Sequence, residues 1–144
     1  MLGRNDYTAQ ELGHAKAALK RQLASYKRLA KAARGAASDP DVASALEDFE
    51  PLFFNNMALA LDRYFVHRVR KVSGNDTNPL NEVELISDSL MNDDGILPGN
   101  NPIKLIPEKS VLKLQIGERI GLNSAQFERL SKAFFAEIDA KFVS

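Results

Sequence analysis

The sequence predicts a helix-dominated α+β domain, on three observations. Apolar residues recur at steps of three and four through most of the chain, the mark of helices with one buried face. Side chains able to accept the free amides of a helix start stand at Thr8, Asp39, Asn78, and Asn123 or Ser124. Between Leu112 and Ile116 the apolar period falls to two, after a stretch punctuated by Pro98, Pro102 and Pro107. With 144 residues, 44% of them apolar, the chain can fill one core. Cysteine is absent, which excludes disulfides, thiolate catalysis, zinc ribbons and iron–sulfur clusters.

The first helix is signalled by Thr8-Ala9-Gln10-Glu11, a hydroxyl and a carboxylate at capping-box spacing. It is expected from about 9 to 34, stopping at Gly35. Its seam of Leu12, Ala15, Leu19, Leu23, Tyr26, Ala30 and Ala33 is thin, because alanine and tyrosine fill four of the seven positions. Such a helix is expected to pack lightly, protrude or reach a partner. Ser38-Asp39-Pro40 opens a short helix through Val42, Leu46 and Phe49. Pro51 is expected to restart the chain, since its nitrogen carries no hydrogen to donate and its ring clashes with the preceding turn. Residues 51 to about 72 form the most apolar segment, greasy nearly all round, which puts that helix at the centre.

Ser73 to Asn78 reads as a loop, and Asn78-Pro79 caps an antiparallel partner helix over about 79–91, with Val83, Ile86 and Leu90 on one side. From about 96 to 122 a small antiparallel hairpin or meander is expected, with strands at 111–116 and 119–122 and Ile103 to Ile106 as a third. A closing amphipathic helix carries a stripe of Phe127, Leu130, Phe134, Ile138 and Phe142.

Charge is balanced overall, 19 basic against 19 acidic, and divided along the chain. Residues 1–37 hold eight basic and two acidic side chains, a formal +6, leaving 11 basic and 17 acidic, a formal −6, for 38–144. The expected organisation is a basic helical arm (1–37) and one compact domain with a small sheet (38–144). No secretory leader is expected, because polar residues interrupt Met1 to Asp6. The longest apolar run, Met57 to Leu61, has five residues against the roughly 20 of a membrane span. A soluble, cytoplasmic protein without a membrane partner is expected.

Motifs for common chemistry are missing. The Glu11…His14 pair has the i, i+3 spacing of di-iron bundles but occurs once, where such sites need it twice. A calcium loop centred on Gly95 would put Leu90 and Asn101 at its two anchor positions, so it fails. No phosphate-cradling glycine loop and no Gly-x-Ser-x-Gly elbow is present. No catalytic residue, metal or cofactor is therefore assigned.

The informative set is Asn56, Arg63, His67 and Arg70, spaced 7, 4 and 3, which one continuous helix would align on a single face. The next helix offers Asn81, Glu84 and Asp88 at i, i+3, i+7. Antiparallel packing would oppose Arg70 to Asn81, His67 to Glu84 and Arg63 to Asp88. One reading is a structural ladder of charge-assisted hydrogen bonds; the other is a cleft in which Arg63 and Arg70 hold an anion while His67 titrates.

The stretch Phe54-Asn55-Asn56-Met57 through Asp62-Arg63-Tyr64-Phe65-Val66-His67-Arg68, then Asn78-Pro79-Leu80-Asn81-Glu82-Val83, resembles a family of bacterial conserved hypothetical proteins. The likeness extends through Ser110-Val111-Leu112 to Phe134-Phe135-Ala136-Glu137-Ile138, about residues 50–142, and implies no activity or cofactor. The leading functional expectation is a non-enzymatic interaction protein forming a homo-oligomer, one copy's basic helix against another's acidic body. The alternatives are an anionic-ligand-binding domain or weak enzyme centred on Arg63, His67 and Arg70, and sequence-independent nucleic-acid binding through the basic helix.

Overall fold

Five helices follow one another in the computed structural model, which describes residues 3–35, 39–99 and 103–144. Helix α1 (Ala9–Gly35) starts at the capping box: Thr8 Oγ1 accepts the Glu11 amide at 3.0 Å, and Glu11 Oε1 accepts the Thr8 amide at 3.0 Å. Asp39 caps helix α2 (Pro40–Tyr64) by accepting the Asp41 amide at 2.9 Å. Helix α3 (Arg70–Ser73) is one turn. Asn78 caps helix α4 (Pro79–Asn92) through the amides of Leu80 and Asn81, and Asn123 with Gln126 closes a capping box on helix α5 (Ser124–Phe142).

α2 and α5 form the middle of the fold and touch each other, while α1 and α4 each pack against both. The floor of this arrangement is Phe54, Met57, Ala58 and Leu61 of α2 with Phe127, Leu130, Phe134 and Ile138 of α5. α1 buries Leu12, Ala15, Leu19, Tyr26 and Ala30, and α4 buries Leu80, Val83 and Ile86, all in the same cluster. Tyr26 ties α1 to α2 twice, edge-on against Phe54 and through a hydroxyl that donates to Glu50. Burial, then that bond to a carboxylate, pushes the Tyr26 phenol up to about 12.

The expected α+β class is overturned: among the described residues there is no strand and no sheet, and the protein is helical. The alternation holds from Leu112 to Gln115, where Leu112 and Leu114 are buried and Lys113 and Gln115 exposed, and fails at Ile116, which is 48% exposed. The ladder is not, because side chains take the amides a partner strand would need. Glu82 accepts from Val111 and Leu112, Ser110 Oγ from Lys113, and Glu118 from Gln115. Lys113 moreover sits at φ 57°, outside the extended region. A single bridge between Ile96 and Arg119 and a 3₁₀ turn at Pro107–Lys109 are what regularity the segment has. Of the proline-punctuated stretch, residues 100–102 lie outside the described residues.

α2 departs from expectation at both points where the sequence marks a boundary. It runs through Pro51 without a break, with Leu46 and Phe54 buried on either side of the proline. An interior proline costs about 3 kcal/mol, and continuous burial along this face offsets that. The helix then ends at Tyr64, not near residue 72. There the N-terminal segment intervenes: the Arg4 amide donates to His67 O at 2.6 Å and the Val69 amide to Arg4 O at 3.0 Å. Gly3 makes this crossing feasible, because a Cβ on it would lie 2.1 Å from Val69 Cγ1.

Candidate functional site

Two arginines that follow α2, Arg68 and Arg70, converge on α4. Arg68, whose side chain is 4% exposed, donates to Asp62 Oδ1 at 2.7 Å, to Phe65 O at 2.9 Å and to Leu80 O at 3.1 Å. Its guanidinium lies 5.3 Å from the Phe134 ring centre and 4.0 Å from Glu84 Oε1, and its Nε has no partner among the described residues. Arg70 donates to Asn81 Oδ1 at 2.7 Å and Gly74 O at 3.3 Å and pairs with Glu84. The fully buried Asn81 returns its amide hydrogens to Gly74 O and Asp76 O, so the first half of the 74–78 loop is tied to α4.

Of the residues expected in the ladder, Arg70, Asn81 and Glu84 are thus brought together. Asn56, Arg63 and His67 are exposed, and Asp88 stands on the exposed side of α4 without an ion pair among the described residues. Burial, then the neighbouring charges of Glu84, Asp62 and Asp93, pushes the Asp88 carboxyl above its ordinary range. What separates the two sets is the end of α2. A wheel relating Asn56 and Arg63 to His67 and Arg70 holds only along a continuous helix.

Three contacts of buried or part-buried charge carried no sequence signal or a weak one. Arg68 and Asp62 are six residues apart, a spacing at which helical side chains do not meet. Arg4 forks onto Glu11 at 2.6 and 2.9 Å and lies 4.3 Å over the Tyr7 ring, drawing the Glu11 carboxyl down to about 2. Glu82, 4% exposed, accepts the Val111 amide at 2.8 Å and the Leu112 amide at 2.9 Å. Burial raises its carboxyl above the ordinary range, against the lowering effect of those amides.

Surface concavities line both flanks of α1, two of them along its middle turns. On its α2 side an apolar groove of about 380 Å³ is lined by Gln22, Ser25, Tyr26, Leu29, Phe49 and Phe53. On its α5 side a slot of about 270 Å³ has Leu19, Leu23, Phe127 and Phe135 for a floor and Lys16, Lys20 and Lys132 at its rim. Among the described residues no group of three or more His, Asp or Glu is placed to hold a metal ion, and no helix is long and apolar enough to cross a membrane.

Comparison with protein-family models, with curated proteins and with solved structures finds no match to this chain.

Proposed function

We propose that this protein is a non-enzymatic interaction protein that self-associates through the outer face of the α1–α2 pair. The observation that carries the reading is a clustering of apolar surface. Leu29, Val42, Phe49 and Leu52 are 56%, 37%, 43% and 66% exposed on these two helices, and Leu29 and Phe49 line the 380 Å³ groove. Tyr26, Phe53 and Phe49 stack in a row beneath it. A patch of this kind on a monomer's surface marks a site that something covers.

A second copy suits it by charge. Exposed Arg21 and Arg28 share a stripe of α1 with Ser25, and exposed Asp41 and Asp48 share a stripe of α2 with Leu52. A two-fold arrangement that lays α1 over the partner's α2 meets cations with carboxylates on both edges and apolar side chains between them. The anion-binding alternative has less support, because the Arg70 guanidinium is occupied by Asn81 and Glu84. The cytoplasmic setting expected from the sequence belongs to this reading.

Light scattering across a concentration series tests it. The wild type is expected to be a dimer that dissociates on dilution, and Phe49→Glu with Leu52→Glu is expected to be a monomer with an unchanged helical spectrum. A wild-type monomer at the highest soluble concentration refutes the proposal.

A further inference from the structure

Lys16, Lys20 and Lys132 make no ion pair or hydrogen bond among the described residues, although they ring one depression. The acid that shares the rim, Glu128, is engaged by Lys27 at 2.9 Å. Three ammonium groups therefore face solvent around the buried side chains of Leu19, Phe127 and Phe135 and the half-buried Leu23. Cations gathered at one rim repel one another, and a ligand that brings carboxylates to them and an apolar side chain to the half-buried Leu23 relieves both costs at once.

We propose that the slot between α1 and α5 docks an acidic amphipathic helix of a partner protein. Two features select this occupant. The cations stand on both walls, Lys16 and Lys20 on α1 and Lys132 on α5, so the matching ligand carries carboxylates along both flanks of an apolar stripe. Lys16 and Lys20 are four residues apart, about 6 Å along the axis, which is the rise between carboxylates one turn apart on a second helix. A single carboxylate, as in a fatty acid, engages one ammonium and leaves the others unmatched, and a nucleic-acid backbone gains nothing from a floor of leucine and phenylalanine.

The slot and the α1–α2 groove occupy opposite flanks of α1, so this site does not depend on self-association. If both hold, a dimer presents two slots.

The test is fluorescence anisotropy of the full chain with a labelled synthetic helix of about 18 residues, five turns, with leucine at i, i+3, i+4 and i+7 and glutamate on both flanks. Saturable binding is expected, weakening with salt and lost in a twin peptide with glutamine for glutamate. Lys16→Glu with Lys20→Glu is expected to weaken binding at least about tenfold, from two attractions turned repulsive. Lys104→Glu with Lys109→Glu, an equal change in net charge at exposed positions elsewhere, is expected to leave it unchanged. These exposed lysines leave the fold intact, which a melting curve verifies. No binding, equal binding of the glutamine twin, or equal loss in the Lys104/Lys109 variant overturns the proposal. So does capture of phosphatidylglycerol vesicles through Lys16 and Lys20 without capture of the peptide. If the Lys16/Lys20 reversal instead dissolves a wild-type oligomer, the slot belongs to a second copy, which overturns this proposal and leaves self-association standing.

Discussion

Removing the Glu82 carboxylate should unfasten the 103–116 segment from α4. Both oxygens are in use, at 2.8 Å to the Val111 amide and 2.9 Å to the Leu112 amide, and the residue is 4% exposed, so water cannot readily replace them. A hydrogen bond to a charged acceptor is worth about 1.5–3 kcal/mol, giving roughly 3–6 kcal/mol for two. Against this stands the cost of holding a charge in a buried place, the same cost that raises the Glu82 carboxyl above its ordinary range. The net loss expected for Glu82→Ala is about 2–4 kcal/mol. For Glu82→Gln it is about 1–3 kcal/mol, since the amide keeps one acceptor and turns an NH₂ toward the other backbone N–H.

Urea denaturation measures the loss, and native-state hydrogen exchange localises it. In Glu82→Ala both the Val111 and Leu112 amides should lose protection; in Glu82→Gln one of the two should. The charge also has a pH signature. With the folded value above the unfolded one, the folded chain binds the proton more readily, so this group's contribution weakens as pH rises through the carboxylate range, and Glu82→Gln should abolish that slope. Wild-type exchange at both amides in the alanine variant, with an unchanged urea midpoint, would show that the segment is held by Leu112 and Leu114 alone.

Two further outcomes follow from the same geometry. Arg68→Ala strands Asp62 and two carbonyls around a site that is 4% exposed and should cost about 3–5 kcal/mol in urea, whereas Arg63→Ala should change stability by less than about 0.5 kcal/mol; equal costs would refute the assignment of Arg68 as the buried cation. Glu11 titrates the opposite way to Glu82: its carboxyl is lowered from 4.5 to about 2 by Arg4, so its contribution is present above pH 4.5 and lost as pH falls toward 2. Acid titration of the melting temperature should therefore lose part of its slope between those values in Arg4→Gln, and an unchanged slope would count against the pair.

What the sequence makes legible divides by distance along the chain. Helix starts at Thr8, Asp39, Asn78 and Asn123 depend on an acceptor and an amide two or three residues apart, so the residues that decide them sit side by side. The seam of α1 and the stripe of α5 are legible for the same reason, at steps of three and four. The end of α2 depends on Arg4, more than sixty residues upstream, whose backbone claims His67 O and the Val69 amide. Nothing between Tyr64 and Val72 announces that crossing. The expected strands fail by the same route, because the acceptor that takes the Val111 and Leu112 amides is a side chain 29 and 30 residues earlier.

The candidate site shows how one such non-local event propagates. While the central helix is extended to residue 72, Arg68 falls off the row shared by Arg63, His67 and Arg70. Once the chain turns at Phe65, Arg68 swings beneath α4 and over Phe134, and Arg63 and His67 are left outside. The division of charge was readable because net charge is a property of composition. Its use was not, because Arg21 and Arg28 on one stripe of α1 and Lys16 and Lys20 beside α5 acquire different neighbours only when two other helices pack against α1. One run of basic residues thereby becomes two chemically distinct surfaces, an amphipathic face with acids of its own on α2 and a lysine-rimmed slot whose single nearby carboxylate is already paired.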